Sequence, residues 1–166
     1  IRFCPFVDLL IGGNEMRLYD LRTEYRVNPV GLTAEAPRFS WKMESQEKDT
    51  LQTAYEIHVT DENGNIVWNS GKKASDQSVL IPYEGETLAD EKLYKVKVHV
   101  ADNHGNTETI EGTFETGIFD NTEFKAQMIT GDFPEEETAC PVFGKAFAID
   151  KKVKKARLYA TAHGVY

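Results

Sequence analysis

Cysteine is nearly missing from this 166-residue chain: Cys4 and Cys140 stand near opposite ends. Two thiols without a paired spacing make no disulfide framework of the kind that holds small secreted domains, so they are read as unpaired, a bridge between them having no positive support. Without any Cys-x-x-Cys there is neither a zinc knuckle nor a thioredoxin-type redox pair. Basic charge is also scarce, with 19 Lys and Arg against 27 Asp and Glu and a net charge of −8. Such a surface repels phosphate backbones, and nucleic acid is not an expected partner. Long apolar runs are absent as well. The stretch 1–11 (IRFCPFVDLLI) is broken by Pro5 and Asp8 and falls short of the roughly 20 residues a membrane helix needs, so no membrane partner is expected. Finally, the chain has no Gly-x-Ser-x-Gly, Gly-x-Gly-x-x-Gly, Gly-Lys-Ser/Thr or His-Glu-x-x-His, which removes the commonest hydrolase, dinucleotide, phosphate and zinc-protease signatures. No cofactor and no catalytic residue are expected.

What the chain does have is alternation. Phe39, Trp41 and Met43 point one way and Arg38, Ser40 and Lys42 the other, the period of a strand with one dry and one wet face. Tyr55, Ile57 and Val59 repeat the pattern against Glu56, His58 and Thr60. The run 61–65 (DENGN) then supplies residues that tolerate positive φ, so a hairpin into Ile66, Val67 and Trp68 is predicted. Val79, Ile81 and Tyr83 alternate with Leu80 and Pro82, the proline marking a strand end or a sheet edge. Tyr94, Val96, Val98 and Val100 against Lys95, Lys97 and His99 form the cleanest run and the expected central strand, and 102–106 (DNHGN) turns the chain into a last strand carrying Ile110 and Phe114. Six or seven short strands separated by Asn/Asp/Gly turns predict an all-β fold, an antiparallel immunoglobulin-like sandwich. Leu88, six residues before Tyr94, matches a tyrosine corner, and the lack of paired cysteines favours the fibronectin type III-like variety. The predicted core is Phe39, Trp41, Tyr55, Ile57, Leu88, Tyr94, Val96, Val98 and Phe114.

The expected domains are an N-terminal extension 1–15, a sandwich 16–117, a linker 118–141 with one short strand near Met128, and an incomplete second β module, 142–166, with strands at 143–149 and 156–162. Met16 is read as the native start, residues 1–15 then coming from a tag, a vector or an over-extended gene, and with that start the cytoplasm is the favoured compartment. Residues after about Asp120 are expected to be disordered, docked on the sandwich, or exchanged between two molecules as a strand-swapped dimer.

Several segments, taken in order, resemble one family. YDLRTEYRVNPVGL at 19–32, APRFSWKM at 36–43, LQTAYEIHV at 51–59, VWNSGK at 67–72, SDQS at 75–78, FETG at 114–117 and KKARLYATAHGVY at 154–166 look like the N-terminal part of bacterial α-L-rhamnosidases. The chain departs from that likeness where the family carries tryptophans and this chain has Phe124 and Met128, and where Gly144 and Ala146 replace charged residues. The resemblance implies a fibronectin type III-like domain followed by the first strands of a jelly-roll-like module. It also implies a parent that is an inverting glycoside hydrolase, whose two carboxylates admit a water between them and lie in a helical-barrel domain downstream. By that likeness the chain is a non-catalytic accessory fragment that packs against and positions the catalytic domain. Its partners are the downstream domains of its own parent, and the parent's partners are rhamnose-containing glycans. The alternative is a free-standing carbohydrate- or protein-binding sandwich.

The residues that could carry chemistry are few. His58 and His99 fall on outward faces, where one sheet could make them neighbours, but no cysteine or third ligand accompanies them at zinc-like spacing, and no metal site is expected. The loop 61–65 begins like a calcium loop, yet Ile66 stands where the motif needs Gly and Lys72 where it needs Glu. Adjacent carboxylates such as Asp61/Glu62, Asp90/Glu91 and Glu135/Glu136 are read as solvated turn residues, since acid–base work needs groups converging on a pocket. The five cations of 151–157 are read as a charged turn. Trp41 and Tyr55 alternate with polar neighbours and belong to the core, which leaves Trp68 and Tyr83, placed nearer a surface, as the aromatic pair to test for carbohydrate contact.

Overall fold

The computed structural model describes residues 16–120, 125–131 and 142–161. The chain divides into two units, 1–123 and 124–166. The first holds seven strands: β1 (Arg17–Thr23), β2 (Arg38–Glu44), β3 (Gln52–Thr60), β4 (Ile66–Asn69), β5 (Ile81–Pro82), β6 (Leu93–Asp102) and β7 (Thr107–Glu115). They form two antiparallel sheets, ordered β1-β2-β5 and β4-β3-β6-β7. This is the predicted immunoglobulin-like sandwich. Among the described residues there is no helix, and so none long and apolar enough to cross a membrane.

The dry layer between the sheets is filled by every second side chain. Phe39 and Trp41 come from β2, Tyr55, Ile57 and Val59 from β3, Val96, Val98 and Val100 from β6 and Phe114 from β7, all buried. Each such side chain contributes roughly 1.5–3 kcal/mol by leaving water. Aromatic packing bridges the layer: Phe39 stacks on Trp68 at 6.1 Å and meets Phe114 at 6.0 Å, and Trp41 meets Tyr55 edge-on at 5.4 Å. β6 lies between β3 and β7, the inner position expected of the cleanest alternation.

The two hairpins β3–β4 and β6–β7 are closed by one device used twice. Asp61 and Asp102 open turns that end on Asn65 and Asn106, and Gly64 and Gly105 each take φ 88°. The first carboxylate accepts from the backbone N–H groups of Asn63 and Asn65 and from the Asn65 amide at 2.8–2.9 Å. The second does the same for His104 and Asn106. Only glycine reaches such a φ without a steric cost, so it sits at the fourth place of both.

Two expectations need correction. β1 was not foreseen, because a bulge breaks its period: pairing with β2 shifts between Tyr19 and Arg22, and Asp20 takes φ 53°, so the buried positions fall at Leu18, Leu21 and Thr23. Val79 does not join the inner face with Ile81 and Tyr83. It is exposed, because Leu80 takes φ 54° and shortens β5 to two residues. The second β module expected at 142–166 is a separate matter: among the described residues 125–131 and 142–161, which include the places near Met128, at 143–149 and at 156–161, the chain is not paired into strands. Phe143, Phe147 and Ile149 are exposed there, and a strand without partners for its N–H and C=O groups has nothing to hold it extended. Residues 1–15, Cys4, Cys140, Glu135, Glu136, Ala162 and His163 lie outside the described residues, as does most of the expected linker 118–141.

Candidate functional site

The outer face of the four-stranded sheet gathers the chemistry-bearing side chains. The register pairs Glu56 with His99 and His58 with Lys97 across β3 and β6, and His99 with Thr109 across β6 and β7. The pleat therefore brings the two imidazoles together on the diagonal, edge to face with centroids 5.4 Å apart. Both rings are already engaged. His58 Nε2 lies 2.8 Å from Glu56 Oε1, and His99 Nδ1 lies 2.8 Å from Thr109 Oγ1. The His58 ring, followed by partial burial acting the other way, holds the Glu56 carboxyl below its ordinary range. Lys97 answers Glu111 at 2.6 Å on the same face. Beside the histidines is a depression of about 350 Å³ lined in part by Glu56, Lys72, His99, Glu108 and Thr109. Two imidazoles and one carboxylate are brought together, but among the described residues no three His, Cys, Asp or Glu groups converge as metal ligands. The arrangement is a half-exposed polar ladder.

Trp68 and Tyr83 are not at a surface. They are buried, 8% and 5% exposed, and meet edge-on at 5.2 Å. The Tyr83 hydroxyl lies 2.7 Å from the Glu86 carbonyl and 3.3 Å from that of Val67, which accept from it, and burial pushes its pKa up to about 12. The chain 84–87 lies against both rings so closely that a Cβ on Gly85 would stand 2.5 Å from Trp68 Cβ and from the Tyr83 hydroxyl. Trp68 keeps one edge on a second depression of about 290 Å³ shared with Tyr55, Lys73 and Gln77. Neither ring offers the open flat face that a stacked sugar would need.

The calcium-like loop is spent on its own backbone. The hydrogen bonds from Asn65, followed by partial burial acting against them and by the backbone N–H groups, hold Asp61 below the usual carboxylate range. At Asp102, burial would raise the pKa, and the bonds from Asn106 and the backbone outweigh it. Of the paired carboxylates, Glu62 meets Lys92 at 3.3 Å and Asp90 accepts from the Phe119 N–H at 3.3 Å. Residues 151–157 are exposed.

The segments that carried the sequence likeness do structural work. Gln52 was not singled out, yet its side chain is buried. It accepts from Trp41 Nε1 at 3.0 Å and donates to the carbonyls of Ser75 and Gln77 at 3.1 and 2.9 Å. One amide thus ties β2, β3 and the 75–77 loop. The Ser70 hydroxyl accepts from the Ile57 N–H at 2.8 Å. The Thr116 hydroxyl, fully buried, donates to the Ala89 carbonyl at 2.6 Å and accepts from the Lys92 N–H at 2.9 Å. Tyr94 completes the tyrosine corner: its hydroxyl accepts from the Ala89 N–H at 2.9 Å, next to buried Leu88. Among the described residues no buried side-chain polar atom is left without a partner. A lone polar residue at an inward position is the signal that could have found Thr116, two residues after inward Phe114, since burial forces it to find hydrogen bonds. Gln52 gives no such signal, because the period of Tyr55, Ile57 and Val59 puts it on the wet face and only the register shift between Gln52 and Ala54 turns it inward.

Comparisons with known proteins agree with this architecture. A family described as "Rha78A-like, N-terminal immunoglobulin domain" matches residues 18–120. An α-L-rhamnosidase of Streptomyces avermitilis is 34% identical over 128 residues, covering 74% of this chain and 12% of that protein. One of Formosa agariphila is 32% identical over 159 residues, covering 84% of this chain and 17% of its own length. The crystal structure of the Streptomyces avermitilis enzyme complexed with L-rhamnose superposes with a TM-score of 0.63 at 35% identity, over 68% of this chain and 12% of that one. The chain therefore spans less than a fifth of the curated relatives it matches. With its two sheets, tyrosine corner and matched residues 18–120, it belongs to the Rha78A-like family of N-terminal immunoglobulin domains.

Proposed function

We propose that this chain is the non-catalytic, N-terminal accessory part of an α-L-rhamnosidase-like glycoside hydrolase, and that its sandwich packs against and positions the catalytic domain of the same polypeptide. Residues 142–166 are then the first strands of a jelly-roll-like module that need the rest of that module to pair. The observation that carries the reading is coverage: relatives named α-L-rhamnosidase match over most of this chain and only 12–18% of their own length. In such a parent, hydrolysis with inversion would use two carboxylates with a water between them, supplied by residues outside this chain, and the substrates would be rhamnose-containing glycans.

The chemistry of the described residues is consistent with that division. Hydrolysis of a glycoside needs a general acid and a base that converge on one pocket with separated pKa values, whereas the carboxylates described above are engaged apart from one another: Asp61 and Asp102 by their turns, Glu56 by His58, Glu62 and Glu111 by lysines and Asp90 by the Phe119 N–H. The test has two arms. The gene is read beyond the codon for Tyr166, where a long continued open reading frame is expected and an immediate stop would favour a small binding module. The purified 166-residue chain is given p-nitrophenyl α-L-rhamnoside, and turnover by it would overturn the accessory reading.

A further inference from the structure

The loop between β1 and β2 combines two properties that rarely go together. It presents large apolar side chains to solvent, and it is held rigidly. Tyr25, Val27 and Val30 are 64%, 57% and 58% exposed within six residues. The backbone under them is fixed at every few steps. Thr23 and Arg26 exchange N–H···O bonds of 3.0 and 3.2 Å, and Arg22 Nη1 donates to the Tyr25 carbonyl at 3.1 Å. The Arg38 guanidinium, held by both oxygens of Glu24, lies over the Tyr25 ring at 5.5 Å. Farther along, the loop lies on the outer strand β7: the Asn28 side chain accepts from the Thr113 N–H, the Pro29 carbonyl from that of Glu115, and the Leu32 N–H donates back to Glu115. Glu24, Asn28 and Gly31 all take positive φ, 56°, 47° and 75°. Such conformations persist where the surroundings over-determine them, as the hydrogen bonds of this loop do.

The loop also stands at the exit of the sandwich. The Gly117 N–H donates to the Leu32 carbonyl at 2.7 Å, and a Cβ on Gly117 would lie 3.1 Å from the Gly31 carbonyl oxygen. Past Gly117 the chain runs on to the 90–91 turn, where the Gly117 carbonyl accepts from the Glu91 N–H and Asp90 from the Phe119 N–H, so the last described stretch of the sandwich passes beside this loop. Tethering at that point raises the effective concentration of later domains at the loop, so a modest contact suffices to hold them. The family is an N-terminal domain, and more than four-fifths of the length of its matched relatives lies outside the matched part.

We propose that loop 24–32 is the docking face for a later domain of the parent polypeptide, one lying beyond residue 166, and this rests on the accessory reading above. The partner surface would offer an apolar depression for Val27, Val30 and the Tyr25 ring, with carboxylate or carbonyl oxygens at its rim for the exposed Arg26. Leu51, Ile66 and Val79 are equally exposed but stand singly, and single exposed apolar residues are ordinary. They serve as controls.

Hydroxyl-radical footprinting compares the full-length gene product with the 166-residue chain. Labelling of Tyr25, Val27 and Val30 is expected to drop severalfold in the full-length protein relative to the change at Leu51, Ile66 and Val79. The paired change Val27→Asp and Val30→Asp should restore Tyr25 labelling in the full-length protein while leaving the melting temperature of the 166-residue chain unchanged, which excludes misfolding of the sandwich. Equal Tyr25 labelling in both proteins, or an equal drop at all six sites, overturns the docking assignment and leaves the accessory reading standing if the full-length protein hydrolyses rhamnosides. Protection of Tyr25 in the short chain that rises with its concentration would assign the loop to a second copy and also overturn it. A full-length product without rhamnosidase activity removes the accessory reading and this inference with it.

Discussion

Residues 94–100 and 143–149 carry the same kind of pattern, apolar side chains at alternate places, and meet opposite fates. In β6, Tyr94, Val96, Val98 and Val100 are 4%, 1%, 0% and 2% exposed. Phe143, Phe147 and Ile149 are 54%, 78% and 58% exposed, and no strand forms around them. The first run has β3 on one side, β7 on the other and a second sheet across the dry layer. Alternation thus states which face of a strand would be buried, and leaves open whether anything is present to bury it against. A strand's stability comes from cross-strand neighbours and from the area they remove from water.

The widest test of that contrast is a pair of identical truncations. Phe39→Ala should cost about 3–5 kcal/mol, because it opens a cavity between Trp68 and Phe114, whereas Phe147→Ala should change stability by less than about 0.5 kcal/mol. Urea unfolding of both variants measures the difference, and comparable losses would show that 143–149 is packed after all. Next in size is Gly85→Ala. The added methyl meets Trp68 Cβ, which cannot swing aside, so a loss of about 1–3 kcal/mol is expected from overpacking; a neutral outcome would mean that the 84–87 segment is not pressed on those rings.

The turns give the third test. Asp102→Ala removes three hydrogen bonds to a charged acceptor and should cost about 2 kcal/mol. The pH dependence has a definite sign. Asp61 and Asp102 have folded pKa values below their ordinary 3.8, so their contribution is complete above about pH 4 and is lost as acid takes the pH down through the folded values. Chemical unfolding between pH 5 and 2 should therefore show falling stability, with a shallower fall in the Asp102→Ala variant. The smallest loss expected within the sandwich is at the tyrosine corner, where Tyr94→Phe deletes the bond to the Ala89 N–H at a cost of about 1 kcal/mol.

Much of the sandwich was legible in the residues, and its failures have particular causes. The central hairpins were readable because an Asp-x-x-Gly-Asn turn and a two-residue period agreed with each other. β1 was missed since one extra residue, Asp20, shifts the phase of burial halfway along, and a period-2 reading has no way to allow for it. Trp68 was misplaced because Ile66, Val67 and Trp68 are all apolar and give no alternation from which to assign a face, and Tyr83 because Pro82 before it pointed to an edge. Both rings are claimed by a segment, 84–87, that is distant from β4 in sequence. On the outer face, the sequence put His58 and His99 outward, but only the register of β3 on β6 brought them to 5.4 Å and gave each a partner on a neighbouring residue or strand.

By itself the sequence determined the all-β class, the two matched hairpins, the inward set of β3 and β6, and the lack of a catalytic signature. These are local properties, written in side-chain period and in residues that tolerate positive φ. Only the tertiary structure decided which polar residues became ties, such as Gln52 and Thr116, that Trp68 and Tyr83 are core, and that the loop 24–32 is fastened beside the sandwich exit with its apolar side chains outward. Those depend on contacts between segments far apart in the chain, where burial obliges each polar group to find a partner and no local period records which one it finds.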